Sequence, residues 1–152
     1  MPFAGGLYYF TSQQNGDKGS PAVVLIHGAG GTHLHWPYNL RRLNNHRVFA
    51  PDLPGHGKSA GLGKQSVEKY AETIADWMNA IGLDQALMVG HSMGGAIAQT
   101  LAVRYPEMVT GLVLIGTGAR LEVNQELLYK FSTPSSTPAA IDLVVKLSLI
   151  HI

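Results

Sequence analysis

The stretch Ala86-Leu87-Met88-Val89-Gly90-His91-Ser92-Met93-Gly94-Gly95-Ala96-Ile97-Ala98 decides the fold. Its first four residues are continuously apolar, the pattern of a strand covered on both faces. From Met93 to about Arg104 the period becomes that of a helix, with Ala96, Ile97, Ala98, Leu101 and Ala102 turned inward and Pro106 marking the end. Between the two stands Gly90-His91-Ser92-Met93-Gly94, a G-x-S-x-G turn in the strand-to-helix context that this motif requires. A serine on so sharp a turn is held in a strained backbone conformation. Its neighbours two positions away must lack side chains if strand and helix are to approach. Gly90 and Gly94 supply that room, and Gly95 follows at once. The competing reading is a glycine-rich turn whose serine is structural.

Working outward, the same alternation repeats. Ala22 to Ile26, Arg47 to Ala50 and Leu112 to Ile115 are strand-like apolar runs. Val67, Tyr70, Ala71, Ile74, Trp77, Met78 and Ile81 fall on one helical face, with Ser66 as N-cap and Gly82 as the stop. Strands alternating with helices predict an α/β fold, a mostly parallel sheet with helices on both faces. Leu7 to Phe10 is a further short apolar stretch, and its aromatic residues, like Trp36, read as packing. Gln13 to Pro21 is rich in turn formers. Beyond Gly116 the alternation breaks into a helical segment from Asn124 to Phe131, a Ser/Thr/Pro loop from Ser132 to Pro138, and a possible further helix from Ala140 to Leu147.

A second special loop, His27-Gly28-Ala29-Gly30-Gly31, follows the first buried strand. Acyl transfer needs backbone N–H donors aimed at a developing oxyanion, and glycines let a loop turn its amides into place. The pair expected here is Ala29 N–H and Met93 N–H, with His27, Gly28 and Gly30 shaping the loop. Alternatively, Gly28-x-Gly30 is a dinucleotide-binding turn, with Asp52 gripping a ribose. That reading lacks the third glycine, since the sixth position is His33. A third loop, Asp52-Leu53-Pro54-Gly55-His56-Gly57-Lys58-Ser59, is expected at the same carboxyl edge of the sheet, where open α/β sheets bind ligands. For Asp52 and His56, loop-fixing hydrogen bonds are the favoured role over catalysis.

The chain has 152 residues, seven histidines and no cysteine. With no thiolate and no carboxylate at a recognised ligand spacing beside His33-x-His35, no metal site and no cofactor are expected; the histidines read as solvent-facing or pocket-lining, with His33 and His91 as the candidates for a pocket wall. Eleven Lys and Arg against ten Asp and Glu leave a net charge of +1. Without a basic cluster, neither nucleic acid nor an anionic membrane is an expected partner. The 45% apolar content is that of a chain with a substantial core, and its longest aliphatic runs are too short to span a bilayer. The N-terminus has no basic segment leading into an apolar one, so no signal peptide is read and the cytoplasm is the expected location.

Taken together, the three loops make the chain resemble the N-terminal half of an α/β-hydrolase fold enzyme of the serine hydrolase or esterase type, over roughly residues 7 to 118. The resemblance implies that Ser92 is an acyl-forming nucleophile, that Ala29 and Met93 donate to the oxyanion, and that the substrate is a small ester or related acyl compound. Serine at position 92 differs from the aspartate nucleophile of the haloalkane dehalogenases and epoxide hydrolases that share the fold. Thioesterase, lactonase, carbon–carbon hydrolase and perhydrolase chemistry are all compatible with the three motifs. A non-catalytic ligand-binding member is a further alternative.

In such enzymes an acid and then a histidine follow the nucleophile. Here the only later histidine is His151, and Glu107, Glu122, Glu126 and Asp142 end no recognisable strand. Leu147-Ser148-Leu149-Ile150-His151-Ile152 resembles the in-frame translation of a transposon-end sequencing adapter, CTG-TCT-CTT-ATA-CAC-ATC. The resulting expectation is a chain truncated before the last strands. Residues 1–119 would form the first part of the core, 120–146 the start of a helical cap, and 147–152 an adventitious tail. The strand around Leu112 to Ile115 should then present a bare apolar edge that favours self-association.

Overall fold

Valine- and isoleucine-rich runs give the strands, and their order sets which are covered. The protein is represented by a computed structural model, which describes residues 2–12 and 20–118. The expectations for residues 13–19 and for the segment from 120 to 152, the cap and the adapter-like tail included, lie outside the described residues.

The strands are β1 (Phe3–Ala4), β2 (Leu7–Ser12), β3 (Ala22–Ile26), β4 (Val48–Pro51), β5 (Ala86–His91) and β6 (Val109–Ile115). They form one sheet in the order β1-β2-β4-β3-β5-β6. The four strands from β4 to β6 run parallel, whereas β1 with β2, and β2 with β4, pair antiparallel. The fold class is therefore as expected, with an antiparallel edge that the apolar stretch at Leu7 to Phe10 did not announce. Two-residue spacing lets β1 and β2 close as a tight hairpin through Gly5 and Gly6, both at positive φ.

Because successive residues of a strand face opposite sides, β3 feeds two cores. Ala22, Val24 and Ile26 join Tyr70, Ile74, Trp77, Met78, Met88, Ile97 and Leu101 on one face. Val23 and Leu25 join Phe10, Trp36, Val48, Ala50 and Val89 on the other. The first face is covered by α2 (Val67–Ala80) and α3 (Met93–Arg104), and the second by Trp36, Leu40 of the short α1 (Tyr38–Arg41) and Leu43 just beyond it. The Ser66 side chain caps α2 by accepting from Lys69 N–H. At the other end the Gly82 and Leu83 amides donate to the Asn79 and Met78 carbonyls, a Schellman closure around Gly82 at φ +66°.

Two expectations need correction. In α3, Ile97, Ala98 and Leu101 are buried, but Ala96 and Ala102 are only half-buried. At 100° per residue those two flank the inward stripe rather than belong to it. In β6, the apolar run does not mean burial on both faces: Leu112, Val113, Leu114 and Ile115 are 38–42% exposed. Among the described residues the strand has β5 on one side and no strand on the other. Among the described residues no helix is long and apolar enough to cross a membrane.

Candidate active site

The register of the central strands brings the three loops together. Ile26 lies opposite Gly90, so His27 and Gly28, which follow β3, emerge beside His91, the last residue of β5, and Ser92, which follows it. Ser92 stands between β5 and α3 at φ +54°, ψ −120°. A residue with a Cβ adopts such a conformation only at a cost on the order of 1–3 kcal/mol, maintained by the surrounding structure. Part of that surrounding is explicit: Ser92 N–H donates to the Ile115 carbonyl at 2.9 Å, and Ser92 C=O accepts from Gly95 and Ala96 N–H. A Cβ on Gly90 would overlap the Gly94 and Gly95 backbone, and one on Gly94 would overlap the Ile26 and His27 carbonyls. These are the close approaches that a side chain at either position would prevent. Gly95 meets Thr117 in the same way, a contact between the elbow and the end of β6 with no counterpart in sequence spacing.

Gly28 rests against the serine. A methyl group there would stand 3.1 Å from Ser92 Cβ and 3.2 Å from His91 Nδ1. Residues 28–31 close a turn, with Gly31 N–H donating to Gly28 C=O at 3.0 Å and Gly30 at φ +71°, the sign a type II turn demands at its third residue. Ala29 is the second residue of that turn, whose amide the turn's own bond leaves free. Met93 is the first residue of α3, where helical geometry leaves the amide unpaired. Neither amide has a protein acceptor among the described residues.

Two buried polar side chains hold this loop. His27, 1% exposed, has its Nδ1 at 2.8 Å from Gly28 C=O, while its Nε2 accepts from Leu53 N–H at 3.0 Å. With Nε2 accepting, the hydrogen sits on Nδ1, which donates. Burial pulls His27 down to about 4, assisted by His56 and His35 nearby and opposed by the Gly28 carbonyl, so the ring is neutral at pH 7. Asp52 is fully buried. Its Oδ1 accepts from His33 N–H at 2.7 Å and from His33 Nδ1 at 2.8 Å, and its Oδ2 accepts from Lys58 N–H at 2.9 Å. Burial alone would raise the Asp52 carboxyl. The His33 and Lys58 amides and the His33 ring outweigh it and hold the group below its ordinary value.

The structure thus places Gly28 against Ser92 and His91, Gly90 against Gly94 and Gly95, and Gly94 against the Ile26 and His27 carbonyls, with Met93 next to Ser92 in the chain and Ala29 and Gly30 in the turn that Gly28 opens. The His91 imidazole is half-buried and lowered chiefly by burial and then by His35. His33, assigned to a pocket wall, is instead 4% exposed and turned to Asp52 and the Tyr8 ring. Spacing could not reveal that pairing, because the partners lie nineteen residues apart. Among the described residues no three His, Asp or Glu side chains converge on a cation position, and no imidazole is hydrogen-bonded to Ser92 Oγ.

Known proteins share the fold. The family model described as "alpha/beta hydrolase fold" matches residues 21–145. The dihydrolipoyllysine-residue acetyltransferase component of the acetoin cleaving system of Pseudomonas putida is 36% identical over 76% of this chain and 32% of its own length. Among solved structures, the 2-hydroxy-6-oxo-6-phenylhexa-2,4-dienoate hydrolase of a Rhodococcus species superposes with a TM-score of 0.69 at 33% identity, covering 84% of this chain and 50% of that one. A thermophilic esterase from Thermogutta terrifontis superposes with a TM-score of 0.70 at 28% identity, over 82% and 45%. The chain therefore spans about a third of the curated relative and half of the solved structures it matches. With three loops gathered at the carboxyl edge of its parallel strands and a family match over most of its length, the chain belongs to the α/β hydrolase fold family.

Proposed function

We propose that the protein is a serine hydrolase of carboxylic esters or related acyl compounds, with Ser92 as nucleophile and the Ala29 and Met93 amides as oxyanion donors. The observation that carries this reading is Ser92 itself: a strained serine at a strand-to-helix turn, with Gly28 against its Cβ and two unpaired amides in the flanking residues. Ser92 Oγ attacks the acyl carbon while its proton passes to a general base. The carbonyl oxygen, now an oxyanion, takes the two amide hydrogen bonds, and collapse expels the alcohol, which recovers a proton from the base. Water then attacks the acyl-enzyme by the same route and releases the acid. The base and its acid partner are not among the described residues.

The dinucleotide reading loses its anchor. Asp52, the residue that would grip a ribose, is fully buried and engaged by three donors within the chain.

A fluorophosphonate probe tests the proposal. Slow labelling that maps to Ser92 and disappears in Ser92→Ala is the expected result. Equal labelling of both chains, or a saturable dinucleotide complex with Ser92 unreactive, would overturn it.

A further inference from the structure

Asp52 and Leu53, adjacent residues just beyond β4, hold opposite ends of the loop that carries Ala29. Leu53 N–H bonds the His27 ring where the loop leaves β3, and the Asp52 carboxylate takes both the amide and the ring Nδ1 of His33 where the loop ends. We infer that this two-point clamp sets the position of the oxyanion donor, and that Asp52 and His33 are positioning residues acting through the backbone of residues 28–32. The inference rests on the reading of Ser92 as nucleophile.

Three features argue that the clamp is a built device. The carboxylate is fully buried, and the His33 amide, the His33 ring and the Lys58 amide all donate to it. A Cβ on Gly57 would overlap that carboxylate, so the β4 loop is shaped to admit it. The Asp52 backbone is fixed as well, with its N–H donating to Tyr8 C=O and its C=O accepting from Ser59 Oγ. Asp52 is thereby anchored to the sheet independently of the loop it holds. Between the clamp points the loop has one internal backbone bond, Gly31 N–H to Gly28 C=O. Releasing one end lets Ala29 move. An oxyanion donor displaced by about 1 Å loses most of its effect, since such misplacement costs on the order of a hundredfold in rate. Neither Asp52 nor His33 needs to touch the substrate.

Labelling at Ser92 suits the test, because attack on a fluorophosphonate develops charge on the phosphoryl oxygen that the oxyanion donors receive. The rate of fluorophosphonate labelling at Ser92 is compared with hydrogen–deuterium exchange in peptides from the 27–35 loop and from β3 and β5. Asp52→Ala and His33→Ala should slow labelling about 10- to 100-fold and speed exchange in the loop, leaving β3 and β5 protected. His33→Asn places its amide nitrogen where Nδ1 was and should restore both readouts; His33→Gln places it one bond too far and should not. Unchanged labelling in Asp52→Ala with the sheet intact overturns the inference, as does equal behaviour of His33→Asn and His33→Ala. If Asp52→Ala does not fold, the His33 series decides, since it leaves the carboxylate its amide donors. If the unsubstituted chain is not labelled at Ser92, the nucleophile reading fails on its own, and loop exchange across the same variants still decides the clamp.

Discussion

Ala22-Val23-Val24-Leu25-Ile26 and Leu112-Val113-Leu114-Ile115 are nearly interchangeable as text, yet every residue of the first, β3, is at most 2% exposed and the four of the second, in β6, are 38–42% exposed. Composition does not separate them; place in the sheet does. Strand β3 has β4 and β5 on either side and a helical layer over each face, whereas among the described residues β6 pairs with β5 alone. An apolar run therefore specifies a strand and its hydrophobicity, and coverage comes from elements elsewhere in the chain. The functional loops divide similarly. The two after β3 and β4 are locked to each other by buried bonds, while β6 reaches the elbow through the Ile115 carbonyl and the Thr117 contact with Gly95.

Truncation at equivalent positions breaks the comparison most sharply. Leu25→Ala empties a site that is 1% exposed and should cost about 3 kcal/mol in urea denaturation. Leu114→Ala removes a side chain that is already 42% exposed and should cost about 1 kcal/mol or less. Equal losses would mean that β6 is buried in solution.

Acid probes the locked side alone. His27 has an ordinary value of 6.5 and about 4 in the fold. The unfolded chain takes up a proton that the buried ring refuses, so the His27 contribution is complete above pH 6.5 and is lost as pH falls toward 4. The full loss is about 3 kcal/mol. His27→Gln keeps an acceptor for Leu53 N–H but does not titrate, so its stability should fall less steeply across that window. Parallel curves for the two chains would contradict the assignment of a neutral buried imidazole.

The elbow lies between the locked and bare sides, on β5. Ser92→Gly should stabilise the chain by about 1 kcal/mol through relief of the positive φ, while abolishing nucleophilic reactivity. Asn45, at φ +64°, is the control: asparagine tolerates this region, and Asn45→Gly should change stability by only a few tenths of a kcal/mol. Thermal melts that shift equally for both would remove the case for strain at Ser92.

The site's covalent neighbourhood was legible in the sequence, and its long-range bonds were not. Gly90, Ser92 and Gly94 stand in one motif whose steric logic is local, and Ser66 and Gly82 end α2 by rules that operate within a turn. Asp52 was legible as a loop-fixing carboxylate, because an aspartate in a glycine-rich turn has local work to do, but not its partner. His33 was misplaced for the complementary reason: a histidine near a glycine loop suits a pocket wall as well as a buried bond, and only the approach of β3 and β4 chooses between them. The pairing of β2 with β4 was hidden in the same way, since Tyr9 opposite Pro51 is a contact between segments more than forty residues apart.

The smallest effect on stability belongs to β6, and it carries the largest consequence for association. Val113 is 42% exposed, so Val113→Lys should change folding stability by no more than about 0.5 kcal/mol. A strand edge with exposed apolar side chains on both faces is a template for pairing with another chain, and a lysine beside that edge opposes pairing by charge and by hydration. The unsubstituted protein should elute from size exclusion as oligomers whose proportion rises with concentration, and Val113→Lys should shift it toward the monomer. Asn79→Lys, an exposed change in the last turn of α2, whose Trp77 and Ala80 lie against Gly5 at the opposite end of the sheet, adds the same charge without blocking β6 and should leave the distribution unaltered. If the unsubstituted chain is a clean monomer at all concentrations, or if both lysines act equally, the exposed face of β6 is not an adhesive edge and its contrast with β3 is confined to packing.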